Sequence, residues 1–184
     1  MRFSKTEIKD LLKAWIAVSA AFTLASVGLH TTAVLLFPVA AIAAGLGFLL
    51  HELAHKFVAQ RYGAWAEFRA DTRMLILMLI VSLFGFIFAA PGAVLIQGNV
   101  GYQRNGKISL AGPAMNIVLA LLFLALTPVT ALAGYGAQIN AWLAVFNLIP
   151  FSFFDGAKVL AWNRYVWALT GLAAIGVLVL SFLL

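Results

Sequence analysis

Six apolar runs separated by short polar segments make up most of this sequence, and no other feature constrains its fold as strongly. They extend over about residues 12–28, 33–62, 74–90, 112–132, 138–162 and 165–184. Each approaches the roughly 20 residues that a helix needs to cross about 30 Å of hydrocarbon. With 64% of the 184 residues hydrophobic and only 10% charged, against about 25% charged in soluble domains, a soluble globular fold is excluded. A bilayer offers backbone groups no water, so spans of this length must satisfy their own hydrogen bonds as helices. There is no cysteine, which removes disulfides, thiolate ligands and a thiol nucleophile from consideration. The expected fold class is an all-α polytopic membrane protein of about five to six transmembrane helices, forming a single membrane-embedded domain over residues 1–184. The first run follows Arg2, Lys5, Lys9 and Lys13 in the manner of a signal peptide. A second apolar run begins almost at once after it, so we expect it to be retained as a span.

Twelve Lys and Arg stand against six Asp and Glu. In a membrane chain such an excess reports topology and attraction to anionic headgroups, so the expected partner is the lipid bilayer and not nucleic acid. If all six runs cross, Arg104, Lys107, Lys158 and Arg164 fall on the outer side. If the run over 74–90 enters and returns on one face, all twelve basic residues share that face. Five crossings with a re-entrant segment and a cytoplasmic N-terminus are therefore expected. Within the region 64–111, Ala93–Ile96 and Lys107–Leu110 flank Asn105-Gly106, a favoured two-residue hairpin turn, so a membrane-associated β-hairpin is expected there. Gly101 to Ile108 imitates a phosphate-binding loop but ends in isoleucine where that motif needs a hydroxyl for magnesium, which favours the turn.

Ionisable groups inside a membrane are expensive and mark function. Two of the three histidines and one of the six acids gather in His51-Glu52-Leu53-Ala54-His55, in the middle of the second run. Residues four apart share a helix face, so both imidazoles can hold one zinc ion while the glutamate serves as general base to the water there. A catalytic zinc takes three protein ligands. Asp155 is the candidate third, at comparable depth near the inner end of the fifth run, beyond a helix break at Pro150. One Zn2+ per chain is expected. His30, at the outer end of the first run, is not counted as a ligand.

These residues make the chain similar to the site-2 protease family of intramembrane zinc metalloproteases. The resemblance rests on His51 to His55, on Gly112-Pro113-Ala114-Met115-Asn116 as the family's G-P-x-x-N helix start, and on Asn147 to Gly156 as its N-x-x-P-x-x-x-L-D-G motif. Phe154 stands where the family has leucine. The resemblance covers about residues 33–164. It implies zinc binding by His51, His55 and Asp155, catalysis by Glu52, and substrate positioning by Asn147 and Asn116. It also implies a transmembrane protein as substrate, an active site towards the cytoplasmic leaflet, and a β-edge before Gly112 offered to an unwound substrate. Asn147, Ser152 and Asn116 are the groups expected to admit water. The alternatives are a divalent-metal transporter and an inactive metal-binding membrane protein; a transporter would need sites spaced along a path through both leaflets, and the outer half has no acid. Oligomeric state is left open. The expected topology is tested by inserting a reporter near Gly98. It should read the same side as one at the N-terminus, and opposite readings would establish six crossings.

Overall fold

The computed structural model describes residues 1–87, 91–151 and 153–183. It is mostly helical, with one two-stranded antiparallel sheet. Among the described residues, four helical stretches are long and apolar enough to cross a membrane: Lys5–Val27, Ala33–Arg61, Tyr102–Leu126 and Arg164–Leu183. The chain divides into two compact units, residues 1–49 with 67–95, and residues 50–66 with 96–184.

In the first unit, α1 (Lys5–Val27) is capped by Ser4, whose hydroxyl accepts from the Glu7 amide at 3.0 Å. That is the usual way of satisfying the orphan N–H groups of a first turn. Glu7 is fully buried and its carboxylate accepts the Phe68 N–H at 2.9 Å, while Ser4 donates to Glu67. The polar start of α1 is thereby tied to strand β1 (Trp65–Ala70). Ala33–Arg61 is continuous but not uniform: α2 (Ala33–Ala40), a π-helical segment Ala41–Gly45, then α3 (Leu46–Arg61). Trp15 donates its indole N–H to the Ala41 carbonyl at 3.1 Å. The buried alanines 14, 17, 21, 40, 41, 43 and 44 let these segments approach closely, as small residues do between helices in lipid. Helix α4 (Thr72–Ser82) starts on Asp71, whose side chain accepts from the amides of Arg73 and Met74. Eleven residues are too few to cross a bilayer. Residues 88–90, which end the expected third run, lie outside the described residues. Strand β2 (Gly92–Gln97) pairs with β1.

In the second unit, α3 ends at Arg61 and the chain turns at Gly63 with φ +79°, the left-handed conformation on which helices commonly stop. Helix α5 (Tyr102–Leu126) packs against α6 (Leu132–Asn147) and α7 (Asp155–Trp162), and α8 (Arg164–Leu183) packs on α6. Ala120, Ala141, Val177 and Leu178 form one buried cluster, and Ala144, Leu148 and Ala174 another. The fifth run is thus two helices, parted around Pro150. Trp167 of α8 donates its indole N–H to the Leu148 carbonyl at 2.8 Å, closing the end of α6.

The expected hairpin is corrected. Its first arm exists as β2, but the partner is Trp65–Ala70, and Asn105, Gly106 and Lys107–Leu110 lie inside α5. The fourth helix therefore begins ten residues before Gly112, and Gly112-Pro113 is no helix start. A type I′ turn needs positive φ, and Gly106 has none. Its role is close packing: a Cβ there would strike the Trp162 ring, while Tyr102 donates to the Ala161 carbonyl at 2.8 Å. Tertiary contact with α7 overrules the local turn preference. Gly106→Ala should therefore destabilise the protein in detergent by about 1–3 kcal/mol through overpacking. In a Trp162→Ala background the same change should be neutral or stabilising by up to about 1 kcal/mol, the helix-propensity gain. Melting curves that show loss in both backgrounds would restore the turn.

Candidate metal centre

The centre is assembled within the second unit, from α3, α5 and α7. His51 and His55 project from the same face of α3 because they lie one turn apart. Their rings meet edge to face, with centroids 4.7 Å apart. Asp155 is the first residue of α7, delivered by the break after α6. His51 Nε2 lies 3.3 Å from Asp155 Oδ2, His55 Nε2 lies 3.0 Å from the same oxygen, and the two Nε2 atoms are 3.0 Å apart. All three residues are at least nine-tenths buried. The other carboxylate oxygen of Asp155 faces Lys158 Nζ at 3.9 Å. Glu52 is also buried, one residue along α3.

Which nitrogen of each ring faces the centre follows from the partners behind it. His55 Nδ1 lies 2.7 Å from the Ile108 carbonyl. A carbonyl only accepts, so this nitrogen carries a ring hydrogen, and Nε2 is the nitrogen turned towards Asp155 and left to serve a metal. His51 Nδ1 lies 2.6 Å from Asn116 Oδ1. The three convergent donors are two ring nitrogens and a carboxylate oxygen, the set that catalytic zinc favours. Ligands about 2.0–2.1 Å from a tetrahedral ion stand roughly 3.3–3.4 Å from one another, close to the observed separations. Gly112 provides a second test, because a Cβ on it would fall on the Nε2 atoms of both histidines. The cradle exists because that position has no side chain. His51, His55 and Asp155 therefore fit a metal ion.

Of the residues singled out from the sequence, the structure brings the two histidines and Asp155 together. Asn116 is fully buried on α5 behind His51, and its amide nitrogen donates to Asn140 Oδ1 at 3.1 Å. Asn147, at the end of α6, is half-buried and donates to the Leu143 carbonyl of its own helix at 2.9 Å. Ser152 lies outside the described residues. The Ile108 carbonyl and Asn140 were not singled out. A backbone acceptor leaves no trace in residue type, whereas Asn140 had one available signal: an amide within a mostly apolar helix, four residues after Gly136.

Comparison with known proteins points the same way. The chain is 43% identical over 184 aligned residues to "Putative zinc metalloprotease MJ0611" of Methanocaldococcus jannaschii, covering 95% of this chain and 94% of that one. Two further proteins of the same description are sll0528 of Synechocystis, 32% identical over 71% of this chain and 32% of its own length, and Rip2 of Mycolicibacterium smegmatis, 34% identical over 78% of this chain and 61% of its own. The chain thus spans under two thirds of these latter two. No protein-family model and no solved structure matches it.

The cradle makes a specific demand. Gly112→Ala should weaken zinc binding at least about tenfold, the scale that follows when ligands lose their orientation, whereas Gly101→Ala, which points into open space, should leave it unchanged. Asp155→Ala should strip the metal. Full zinc occupancy by elemental analysis in either Gly112→Ala or Asp155→Ala would remove that residue from the centre.

Proposed function

The chain belongs to the same family as these zinc metalloproteases, in keeping with the site-2 protease motifs it carries, and on that premise we propose that it hydrolyses peptide bonds in or near transmembrane segments of membrane-protein substrates. The observation that carries the reading is the convergence of His51 Nε2, His55 Nε2 and Asp155 Oδ2 in a buried site, beside the buried Glu52. Four helices fit to span a membrane support a membrane-embedded substrate. Such proteolysis would be of the regulated intramembrane kind, with the site towards the cytoplasmic leaflet and the N-terminus on that side.

His51, His55 and Asp155 would hold the zinc ion, which supplies Lewis acidity that polarises a carbonyl and makes water nucleophilic near neutral pH. Glu52 accepts the proton of the attacking water and returns it to the departing amine, so that no amide anion is expelled. Asn147, half-buried at the end of α6, is assigned to contact the substrate backbone. A transmembrane helix shields its own peptide bonds, so the substrate must unwind before attack. The two-stranded sheet leaves one edge of each strand without a strand partner among the described residues, and an extended segment can add to such an edge through its main chain.

Glu52→Gln tests the mechanism. The amide is nearly isosteric and takes no proton, so zinc content should stay at the wild-type level while cleavage of a model single-span substrate in proteoliposomes falls about 100- to 10,000-fold. Near wild-type cleavage by the variant would refute Glu52 as the base. Metal flux without proteolysis in both forms would instead establish a transporter.

A further inference from the structure

Behind the metal-facing side of His51 runs a line of buried amides that the proposed reaction does not use. Asn116 Oδ1 faces His51 Nδ1 at 2.6 Å, Asn116 Nδ2 donates to Asn140 Oδ1 at 3.1 Å, and Asn140 Nδ2 donates to the Gly136 carbonyl at 2.9 Å. Both asparagines are fully buried, in helices α5 and α6 of the same unit. An asparagine amide alone has no built-in direction, since its oxygen and nitrogen are interchangeable in shape. The far end of this chain does have one. The Gly136 carbonyl can only accept, so Asn140 must turn its NH2 towards it and its oxygen towards Asn116. Asn116 must then give its NH2 to Asn140 and its oxygen to His51. The imidazole is left to donate from Nδ1, which leaves the Nε2 lone pair for the metal.

We propose that Asn140 is a positioning residue of the metal centre, acting through Asn116 to select the tautomer of His51, with the direction of the whole line set by the backbone carbonyl of Gly136. This deepens the metal-site reading and rests on it. The two histidines are thus oriented by different means: His55 by one backbone carbonyl, 2.7 Å away, and His51 by a carbonyl three hydrogen bonds away. Losing the remote carbonyl link should lower metal affinity without touching a ligand. Partners that orient metal-bound histidines commonly account for about 10- to 100-fold in affinity.

The test uses the full chain in detergent, with zinc affinity measured by chelator competition and the histidine ring tautomers read by 15N NMR on the zinc-free protein. Asn116→Leu should weaken zinc binding by about 10- to 100-fold, and Asn140→Leu by about tenfold. The double variant should be no weaker than Asn116→Leu alone, because Asn140 works only through Asn116; non-additivity of this kind marks a shared path. Asn140→Ser guards against simple misfolding. Its hydroxyl can satisfy the Gly136 carbonyl within the helix but is too short to reach Asn116, so it should reproduce the loss seen with leucine. In wild-type protein the His51 ring should hold its hydrogen on Nδ1, and in either Asn140 variant both tautomers should be populated. Wild-type affinity with a single unchanged tautomer in Asn140→Ser would overturn the proposal, as would losses that add in the double variant. A wild-type chain that binds no zinc would instead overturn the metal reading, and the tautomer of His51 would still report on the amide line.

Discussion

The hydrogen bond from His55 Nδ1 to the Ile108 carbonyl commits the opposite nitrogen of the ring to the interior of the site. Without such a commitment, two imidazoles one helical turn apart are as ready to place a hydrogen between themselves as a lone pair. With it, Nε2 of His55 and a carboxylate oxygen of Asp155 stand 3.0 Å apart, held where a proton or a metal ion can lie between them. Helix α5 supplies the groups that enforce this arrangement: the Ile108 carbonyl, the absent side chain of Gly112 and the Asn116 amide follow one another along a single face at helical spacing.

This explains why the helix that carries no ligand is the one most closely fitted to them. Ile108, Gly112 and Asn116 are four residues apart, so one face of a single helix can serve both histidines of α3. The same fit explains why α5 extends back to Tyr102. A helix that began at Gly112 would not present the Ile108 carbonyl from a regular backbone. The packing of Gly106 on Trp162 and the Tyr102 hydrogen bond to Ala161 hold this early part of α5 against α7, whose first residue is Asp155.

The grouping of His51, His55 and Asp155 was legible in the sequence because it is written in scarce residues. Two histidines and an acid inside apolar runs have few innocent explanations, and the spacing of His51 and His55 already specifies a helix face. The break at Pro150 was legible for a local stereochemical reason, since proline lacks the N–H that a continuing helix bonds. The region around Asn105-Gly106 misled because its local chemistry favours a turn, while the decision was made by a tryptophan more than fifty residues later. Strand β1 went unread because its six residues carry no strict alternation and their burial falls on consecutive positions, Ala66, Glu67 and Phe68. Asn116 was visible only as part of a motif, and its place behind His51 required coordinates.

About a hundred residues separate His55 from Asp155, and the order of synthesis gives that interval a meaning. At roughly 5–20 residues per second, the paired imidazoles exist for about 5 to 20 seconds before the carboxylate that completes them has been made. A nascent chain in that interval offers an incoming metal two imidazoles of the three ligands that a catalytic zinc takes. The third donor arrives with α7, at whose first position Asp155 stands. The centre is therefore complete only when the last of its three ligands, at the start of α7, has been made.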